Sequence, residues 1–406
     1  MLFYRKSIVF VYDTTIIFRK YSSQWSSKYL EKSIKSKLEC VKIRRSILNV
    51  NDLSYNTNCS FYDNIYKKNC ENVIGFVKVP VGTPGTLLID NKKYTIPMST
   101  TEGTLVASTS RGIKLLNKSG GVKCVVEDKG ITRAPILSFN SINDAKIVKT
   151  WINNNFDLLE EVFNSTTNYG KLKEINVKQV SRDLYIRINC MSGEAMGMNI
   201  ITKGSIEILN KIMNENNDFN ITILSLSGNY CIDKKPSAIN WIFGRCKSIT
   251  CEALINHEDL KNIMNVKVDD LVNLNVKKNL VGSCLSGSIG GFNAHASNIV
   301  SSIFLSTGQD LGQIGTSSVC LTTMEKIGND LLVGITMPSI EVGTIGGGTE
   351  LKDQKSCINM ISPGITSIEL SKVVSGTVMA GELSLMSSLC DNTLMNAHLN
   401  LNRGIK

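Results

Sequence analysis

Between residues 144 and 226 the chain alternates helical and strand patterns. Apolar residues recur at helical spacing from Asp144 to about Val162 and from Met196 to about Met213, and the alternating segment LYIRIN (Leu184 to Asn189) predicts a strand between them. The apolar run Ile221 to Leu226 predicts a further, buried strand. This order of elements indicates a small α/β domain, inserted in a larger one.

The next segment, SGNYCIDKKPSAINW (Ser227 to Trp241), sets an acid beside two lysines. Because proline suits the first turn of a helix, Pro236 predicts that Asp233, Lys234 and Lys235 lie on a connecting turn. Taken alone, the pattern favours a solvated surface turn, since charged turns are common. In a cleft, one ammonium group could hold a substrate carboxylate while the other stabilises an oxygen that gains charge during a reaction.

The formal net charge of +10 is concentrated at the front of the chain. Residues 1–45 carry eleven basic side chains against three acidic ones, a net charge of +8, so the other 361 residues carry only +2. Because these 361 residues are nearly neutral, nucleic acid is not expected as a partner. The length of 406 residues predicts two or three domains.

The twelve cysteines form no Cys-x-x-Cys pair, and the three histidines (His257, His295, His398) form no ligand spacing with them. We infer reduced thiols and no metal site.

Residues 1–28 are basic, serine-rich and nearly free of acid, as in mitochondrial transit peptides, and Arg19 to Ser22 resembles a matrix-protease cleavage site. A disordered basic tail is the alternative. We therefore expect the mitochondrial matrix, with the cytoplasm as the alternative. The apolar run Ile8 to Phe18 is shorter than the ~20 residues of a membrane helix, and no later stretch is expected to qualify, so a soluble chain without a membrane span is predicted.

Residues 29–48 predict a basic amphipathic helix, and from Glu71 short β-branched runs separated by Gly and Pro predict strands and tight turns. The predicted segments are a helical N-terminal segment (29–70), the first part of a large domain (71–138), the inserted domain (139–226), and the second part of the large domain with a C-terminal helical tail (227–406).

In PMSTTEGTLVASTSRGIKLL, Thr100 or Thr101 can cap a helix whose first turn contains Glu102. A first-turn glutamate usually complements the helix dipole and stays ionised. A role as proton donor instead requires burial or a nearby carboxylate to raise its pKa. The sequence leaves both interpretations open.

Further along, SGEAMGMN (Ser192 to Asn199) is weak as a phosphate cradle, because it lacks the Gly-x-Gly-x-x-Gly spacing. An apolar helix is predicted to end near Gly308, with Asp310 just beyond it, and Gly328-Asn329 predicts a hairpin. GTIGGGTE (Gly343 to Glu350) predicts a flexible loop or an anion nest. A long helix is predicted from Ser367 to Leu389.

Together these segments resemble the catalytic portion of the eukaryotic-type (class I) 3-hydroxy-3-methylglutaryl-CoA reductase family. The resemblance runs from Glu71 to Arg403 and rests on ENVIGF, TTEGTLVAST, TRAP, SGEAMGMN, LSGNYCIDKKPSAINW, GGFNAHASN, GQD, MPSIEVGTIGGGT and AGELSL, in the family's order. The family's membrane-anchoring region has no counterpart here. The resemblance implies an α+β fold in which a large substrate- and CoA-binding domain carries a smaller inserted α/β (ferredoxin-like) cofactor-binding domain.

The family reduces a thioester to an alcohol with two NADPH, releasing CoA and mevalonate. The resemblance implies that Lys234 stabilises the oxyanion formed by hydride attack and that His398 protonates the departing CoA thiolate. It implies that Glu102 protonates the aldehyde oxygen in the second reduction, and that Asp310 lies between Glu102 and Lys234 and tunes both.

The same resemblance assigns binding roles. Side chains implied to hold the hydroxymethylglutaryl group or to support this network are Arg133, Ser227, Asp233, Lys235, Lys278 and Asn298, and those implied to contact CoA are Ser108 and Arg111. Residues implied to contact the dinucleotide are Glu194, Met196, Gly197, Met198, Asn199, Gly346, Gly347 and Gly348. A homodimer or homotetramer with shared active sites is also implied.

Four positions depart from the family pattern. Glu194 replaces an aspartate in the cofactor motif, and Asn168 stands where the family has an arginine for the 2′-phosphate of NADPH, so NADH becomes possible unless Lys171 substitutes. Leu401 and Gly404 replace a histidine and a phosphorylatable serine, so control by that phosphorylation is not expected. A catalytically inactive CoA-thioester-binding homologue, or the same enzyme oxidising mevalonate with NAD, are the alternatives to a working reductase.

Overall fold

The structure, a computed structural model, describes residues 27–66 and 68–391. Residues 1–26 of the predicted transit sequence, together with His398, Leu401 and Gly404, lie outside the described residues. The chain divides into two compact units, Met1–Pro80 and Val81–Lys406. The finer division predicted from the sequence stays a prediction.

Among its described residues, the first unit contains three short helices, α1 Ser27–Ser33, α2 Lys37–Ile47 and α3 Cys59–Ile65. The prediction of one helix over 29–48 is wrong, because Ser36 interrupts it: the Ser36 side chain accepts a hydrogen bond from Glu39 N and caps a new helix. Leu38 and Val41 pack against Tyr62 of α3.

The second unit combines thirteen strands with twelve helices among its described residues. The strands are β1 Val81–Gly82, β2 Thr86–Ile89, β3 Lys92–Thr95, β4 Met98–Ser99, β5 Lys123–Arg133, β6 Ile136–Ser138, β7 Lys171–Val180, β8 Asp183–Met191, β9 Thr222–Ser225, β10 Cys246–Ile255, β11 Gly291–Phe292, β12 Cys320–Ile327 and β13 Asp330–Ile340. The helices are α4 Leu105–Lys118, α5 Ile142–Asn154, α6 Phe156–Asn164, α7 Met198–Glu215, α8 Ala238–Phe243, α9 His257–Met264, α10 Val268–Leu274, α11 Ser283–Leu285, α12 Ala296–Thr307, α13 Ile314–Ser317, α14 Lys352–Ile361 and α15 Ser367–Cys390, with a π-helix at Asn275–Gly282 and 3-10 helices at Leu311–Gln313 and Gly347–Glu350.

Nine strands form one sheet in the order β11-β12-β13-β10-β5-β8-β6-β9, with β7 paired to β8. Strand β5 joins its two halves, because Lys123 to Gly130 pair with β10 while Ile131 to Arg133 pair with β8. Each half has its own hydrophobic core, one around α15 and one between β6–β8 and helices α5–α7. The predicted mixed α+β class is confirmed.

Helix α15 runs through the larger core. Gly112 of α4 lies against it so closely that an added Cβ would come within 2.0 Å of the Ala380 carbonyl oxygen. By length and composition α15 could cross a membrane, contrary to the expectation that no later stretch qualifies. However, 78% of its apolar window is buried inside the protein, as in the core helix of a globular domain.

Several predicted elements are confirmed. Strands β12 and β13 are joined at Gly328-Asn329, and α12 ends at Gly308, whose φ of 71° gives the left-handed C-cap that glycine favours. Helix α15 has nearly the predicted bounds.

Two predicted elements differ from the structure. The helix predicted from Asp144 to Val162 is two helices, since Asn155 lies outside helical geometry, with φ −116° and ψ 35°, and separates α5 from α6. The strand predicted as buried over Ile221 to Leu226 is β9, and its side chains are largely exposed. The reason is its position at the sheet edge, where β6 is the one strand paired with it among the residues that the structure describes.

Candidate active site

Residues 229–235 form a strained turn between β9 and α8, called here the 229–235 turn. Asn229, Ile232 and Lys234 have φ of 59°, 42° and 60°, and a positive φ is uncommon for a β-branched residue such as Ile232. The surrounding protein holds the turn by its carbonyl groups: Thr132 Oγ1 donates to Cys231 O (3.1 Å) and Asn240 Nδ2 donates to Ile232 O (2.8 Å). Strain held by the surroundings in this way is typical of functional sites.

Lys234 extends from this turn to Asp310. The Lys234 Nζ lies 2.8 Å from Asp310 Oδ2, and the other Asp310 oxygen accepts from Gly312 N (2.9 Å), which fixes the carboxylate. The hydrogen bond to Asp310 raises the pKa of Lys234, so the lysine stays protonated at neutral pH. Both side chains remain partly exposed, which leaves a fixed cation open to an incoming ligand.

Asp233 instead lies beside two arginines, the buried Arg245 and the half-buried Arg133. Its Oδ1 accepts from Gln313 Nε2 (2.7 Å) and lies 3.4 Å from Arg245, while its Oδ2 lies 3.8 Å from Arg133. Arg245 in turn forms an ion pair with Glu341, and both of these side chains are fully buried. Burial raises the pKa of the Glu341 carboxyl to about 7, although the Arg245 guanidinium opposes the increase.

Glu102 does not lie in the first turn of a helix. Helix α4 begins at Leu105 with Thr104 as its N-cap, so the prediction that Thr100 or Thr101 caps it is wrong. Thr100 instead accepts from Glu102 N (3.0 Å) and forms the turn that precedes the helix. Because Thr104 has a φ of 72°, the helix starts later than the cap pattern indicates. Glu102 is therefore exposed, and it does not complement the helix dipole from the first turn.

Glu102 meets Asn298 of α12, whose Nδ2 lies 3.4 Å from Glu102 Oε1. The entry to α12 is fixed by Glu382 of α15, a fully buried carboxylate that accepts from Ala294 N, His295 N and Thr322 Oγ1 (2.8, 2.8 and 2.9 Å). Within the part of the chain that the structure describes, no hydrogen bond or ion pair joins Glu102 to Lys234 or Asp310. One chain therefore presents two groups of predicted site residues, Lys234 with Asp310 and Glu102 with Asn298.

The remaining predicted substrate residues are more dispersed. Ser227 is exposed at the start of the segment and Lys235 Nζ donates to Asn229 Oδ1 (3.3 Å), while Lys278 lies half-buried on the π-helix. Ser108 and Arg111 of α4 bind α15. Ser108 Oγ donates to Ser384 Oγ (2.9 Å), and Arg111 donates to Ser384 Oγ and Ser384 O (3.1 and 2.7 Å).

The two glycine-rich segments lie side by side. Ala195 and Ile345 form an isolated parallel bridge, and Glu194 O accepts from Thr344 N (2.8 Å). The Glu194 carboxylate accepts from Thr344 Oγ1 (3.1 Å) and from Ser367 N (2.5 Å), at the start of α15. The Glu194 side chain, one methylene longer than aspartate, thus bonds Thr344 and Ser367 and joins both segments to α15.

Main-chain groups near this junction are open to a ligand. Gly197, with a φ of 100°, is the N-cap of α7, so Met198 and Asn199 start that helix and Met196 precedes it. Gly346 and Gly347 have φ of 86° and 60°, and an added Cβ at either would meet open space, while Gly348 packs on Gly308. A glycine turn with open space beside a helix start suits phosphate or another anion.

Asn168 lies exposed on the turn between α6 and β7, with Lys171 exposed at the first position of β7. Lys203 of α7 donates from Nζ to Thr166 O (2.8 Å) on the same turn. One lysine therefore bonds the turn that carries Asn168, and another follows it at the start of β7. Among the described residues no group of three His, Cys, Asp or Glu side chains could hold a metal ion.

Sequence reasoning missed Gln313, Arg245, Glu341 and Glu382. An acid in the middle of a 24-residue apolar helix is a signal for Glu382, because a glutamate buried there requires donors from outside the helix. Arg245 and Glu341 are 96 positions apart, and no local pattern indicates that they pair.

Comparisons with known proteins show the family to which the sequence is similar. The family model described as hydroxymethylglutaryl-coenzyme A reductase matches residues 33–403. The 3-hydroxy-3-methylglutaryl-coenzyme A reductase of Camptotheca acuminata is 47% identical over 357 residues, which are 85% of this chain and 60% of that protein. The corresponding reductase 1 of Dictyostelium discoideum is 49% identical over 346 residues, 82% of this chain and 62% of that protein. The chain thus spans about three fifths of the length of these relatives.

Among solved structures, the class II 3-hydroxy-3-methylglutaryl-CoA reductase from Streptococcus pneumoniae, bound to NADPH in open conformations, superposes with a TM-score of 0.65. It is 18% identical and the match covers 88% of this chain and 98% of that one. At this identity the likeness shows the fold.

Proposed function

The chain belongs to the hydroxymethylglutaryl-coenzyme A reductase family, and on that premise we propose that it reduces 3-hydroxy-3-methylglutaryl-CoA to mevalonate and CoA with two NAD(P)H, in the pathway to isoprenoids. The observation that carries the proposal is the Lys234–Asp310 pair, a protonated amine fixed 2.8 Å from a carboxylate on a strained, partly exposed turn.

Hydride attack on a thioester carbonyl places negative charge on its oxygen, and a fixed cation in a sheltered site stabilises that charge strongly. Lys234 supplies the cation, and Asp310 keeps it protonated and oriented. The nucleotide, when bound, supplies the hydride. Glu102, held by Asn298, donates a proton to the aldehyde oxygen in the second reduction, and His398 protonates the departing thiolate.

We assign the binding of the nucleotide to the junction of the two glycine-rich segments. The open space at Gly346 and Gly347, beside the start of α7, fits an anionic group such as a pyrophosphate. Glu194 contributes by joining the two segments to α15, since its carboxylate is already bonded to Thr344 and Ser367.

We further propose that this is a eukaryotic-type, class I member. Relatives from a plant and from Dictyostelium share 47% and 49% of their aligned residues with it, against 18% for the class II structure with the same fold.

The direct test is thioester-dependent oxidation of NADPH and NADH by the purified protein, with mevalonate identified as product. We expect turnover with hydroxymethylglutaryl-CoA and none with the free acid, which lacks the CoA leaving group. Binding of the thioester without turnover with either nucleotide would instead identify an inactive homologue. Faster oxidation of mevalonate with NAD would identify the oxidative alternative.

We predict a weakened preference for NADPH over NADH. A charge-assisted hydrogen bond contributes about 1.5–3 kcal/mol, so loss of the arginine at position 168 removes roughly a tenfold to hundredfold preference. The measurement is kcat/KM for both nucleotides, and we expect the two values to lie within about tenfold. Asn168→Arg should raise kcat/KM for NADPH about tenfold and leave NADH unchanged.

A strong preference for NADPH in the unmodified protein would refute this prediction. If Lys171→Ala then abolished that preference while Lys203→Ala did not, Lys171 would be the substitute cation.

We propose a homodimer or homotetramer with active sites shared between chains. Support comes from the absence of a bond between Glu102 and Lys234 within the described part of one chain. If these side chains come from different chains, mixing inactive Lys234→Ala with inactive Glu102→Gln subunits restores one intact site in each mixed dimer, about a quarter of full activity after random exchange. Mixed dimers, isolated by two different affinity tags, without activity would show that each site uses one chain.

A further inference from the structure

Arg245 lies in an unusual stretch of backbone between α8 and β10. It is flanked by Gly244 and Cys246, with φ of 75° and 62°, and the register between β10 and β5 shifts between Cys246 and Lys247. Bulges and positive-φ residues of this kind redirect side chains at a cost in backbone strain. Here they turn the Arg245 side chain into the interior, where it is fully buried.

The buried guanidinium has partners on several sides. Its Nε donates to Thr132 Oγ1 (3.0 Å), one terminal nitrogen forms the ion pair with Glu341, and the other lies 3.4 Å from Asp233 Oδ1. Glu341 follows β13 and its N donates to Ser317 Oγ (3.0 Å). Arg245 therefore links β5, the end of β13 and the 229–235 turn.

Asp233 connects the buried Arg245 to the next residue in the chain, Lys234. The 3-10 helix Leu311–Gln313 contacts the turn twice, because Gln313 donates to Asp233 and Asp310, its N-cap, binds Lys234. Asp233 is thus bound by both Arg245 and Gln313. Lys234 has a φ of 60°, which alanine or lysine adopts only under constraint, so its direction depends on how firmly Asp233 is anchored.

We propose that the buried Arg245–Glu341 pair is a positioning element for the reductase site, which anchors Asp233 and thereby sets the direction of the Lys234 amine. The inference rests on the proposed function. The negative charge of Glu341 balances the positive charge of the buried Arg245 guanidinium. Asp233 can therefore keep its hydrogen bond with Gln313. Neither Arg245 nor Glu341 touches the reacting atoms.

The test removes both charges together, because a single substitution would leave one buried charge unpaired. In Arg245→Met/Glu341→Met we expect a folded protein with kcat reduced about 10- to 100-fold, the effect of a displacement of about 1 Å in a catalytic group. We also expect a raised KM for the thioester and an unchanged KM for the nucleotide. Arg245→Lys, which keeps the charge but not the forked geometry, should have an intermediate kcat.

The control is a neighbouring ion pair that is less deeply buried, Lys247 of β10 with Asp128 of β5, for which no bond to the 229–235 turn is found in the described part of the chain. Lys247→Met/Asp128→Met should keep kcat and both KM values within about twofold, since the bonds of this pair to each other and to Gly130 N do not reach the 229–235 turn. A similar loss of kcat in this control would show that any buried pair in the region has the same effect and would overturn the proposal.

The proposal is also overturned if the Arg245/Glu341 double variant folds and keeps kcat within twofold. If that variant does not fold, the single variants Arg245→Lys and Glu341→Gln test the proposal, since both nearly preserve side-chain volume. Unchanged kcat and unchanged KM for the thioester in both variants would contradict the positioning role. Failure of the proposed function can be distinguished from failure of this positioning role, because in the former case the unmodified protein itself shows no thioester-dependent turnover.

Discussion

Replacing Lys234 by alanine is expected to abolish turnover while leaving the fold intact. Loss of one donor to a developing oxyanion costs about a hundred- to thousandfold in kcat, and Lys234 is a full positive charge, so we expect at least the upper end of that range. The stability of the protein should barely change, because the Lys234–Asp310 pair is partly exposed and such pairs contribute little. Alanine at a φ of 60° introduces no strain beyond that of lysine.

The measurements are kcat under saturating thioester and nucleotide, and thermal unfolding of both proteins. Lys326→Ala is a matched control, since Lys326 forms a partly exposed pair of the same length, 2.8 Å, with Asp269. This control should keep full activity. Activity of Lys234→Ala above about a hundredth of the unmodified value would contradict the oxyanion role.

Replacing Glu382 by alanine is expected to cause the largest loss of stability. The substitution leaves Ala294 N, His295 N and Thr322 Oγ1 without their acceptor at a fully buried position, and it leaves a cavity beside α12. Each unsatisfied buried donor costs about 1–3 kcal/mol. Because the three share one site and are not additive, we expect a loss of about 3–5 kcal/mol in the free energy of unfolding.

Urea unfolding measures this loss. Glu382→Gln should be intermediate, because the amide keeps one accepting oxygen but turns an NH₂ group toward a backbone donor. Glu325→Ala on the exposed side of β12 is the control, with an expected change within about 0.5 kcal/mol. A Glu382→Ala protein as stable as this control would mean that the three donors find water or new partners.

The Glu382 substitution should also affect the site. Glu382 fixes the entry of α12, and Asn298 lies in the first turn of that helix, 3.4 Å from Glu102. In the folded fraction we therefore expect a lower kcat for Glu382→Gln, with the Lys234–Asp310 pair unaffected. The two groups of site residues thus depend on different parts of the core.

Much of the local structure follows from the sequence. Gly308 ends α12 because glycine adopts a left-handed C-cap without steric cost, and Gly328-Asn329 joins two strands because short turns favour these residues. Asp233, Lys234 and Lys235 were placed correctly on a turn. Where local signals compete, the sequence misleads: Thr100 and Thr101 both match a helix cap, yet α4 starts at Leu105.

The sequence by itself determined the family, through motifs in a fixed order, and with it the set of side chains that we propose for the chemistry. Tertiary structure decided how they are grouped and supported. Arg245 and Glu341 pair across 96 positions, Glu382 reaches the start of α12 from a later helix, and Glu194 binds Thr344 and Ser367. Propensity and periodicity act over a few residues, whereas these contacts depend on which surfaces pack together, and that is settled only when the whole chain has folded.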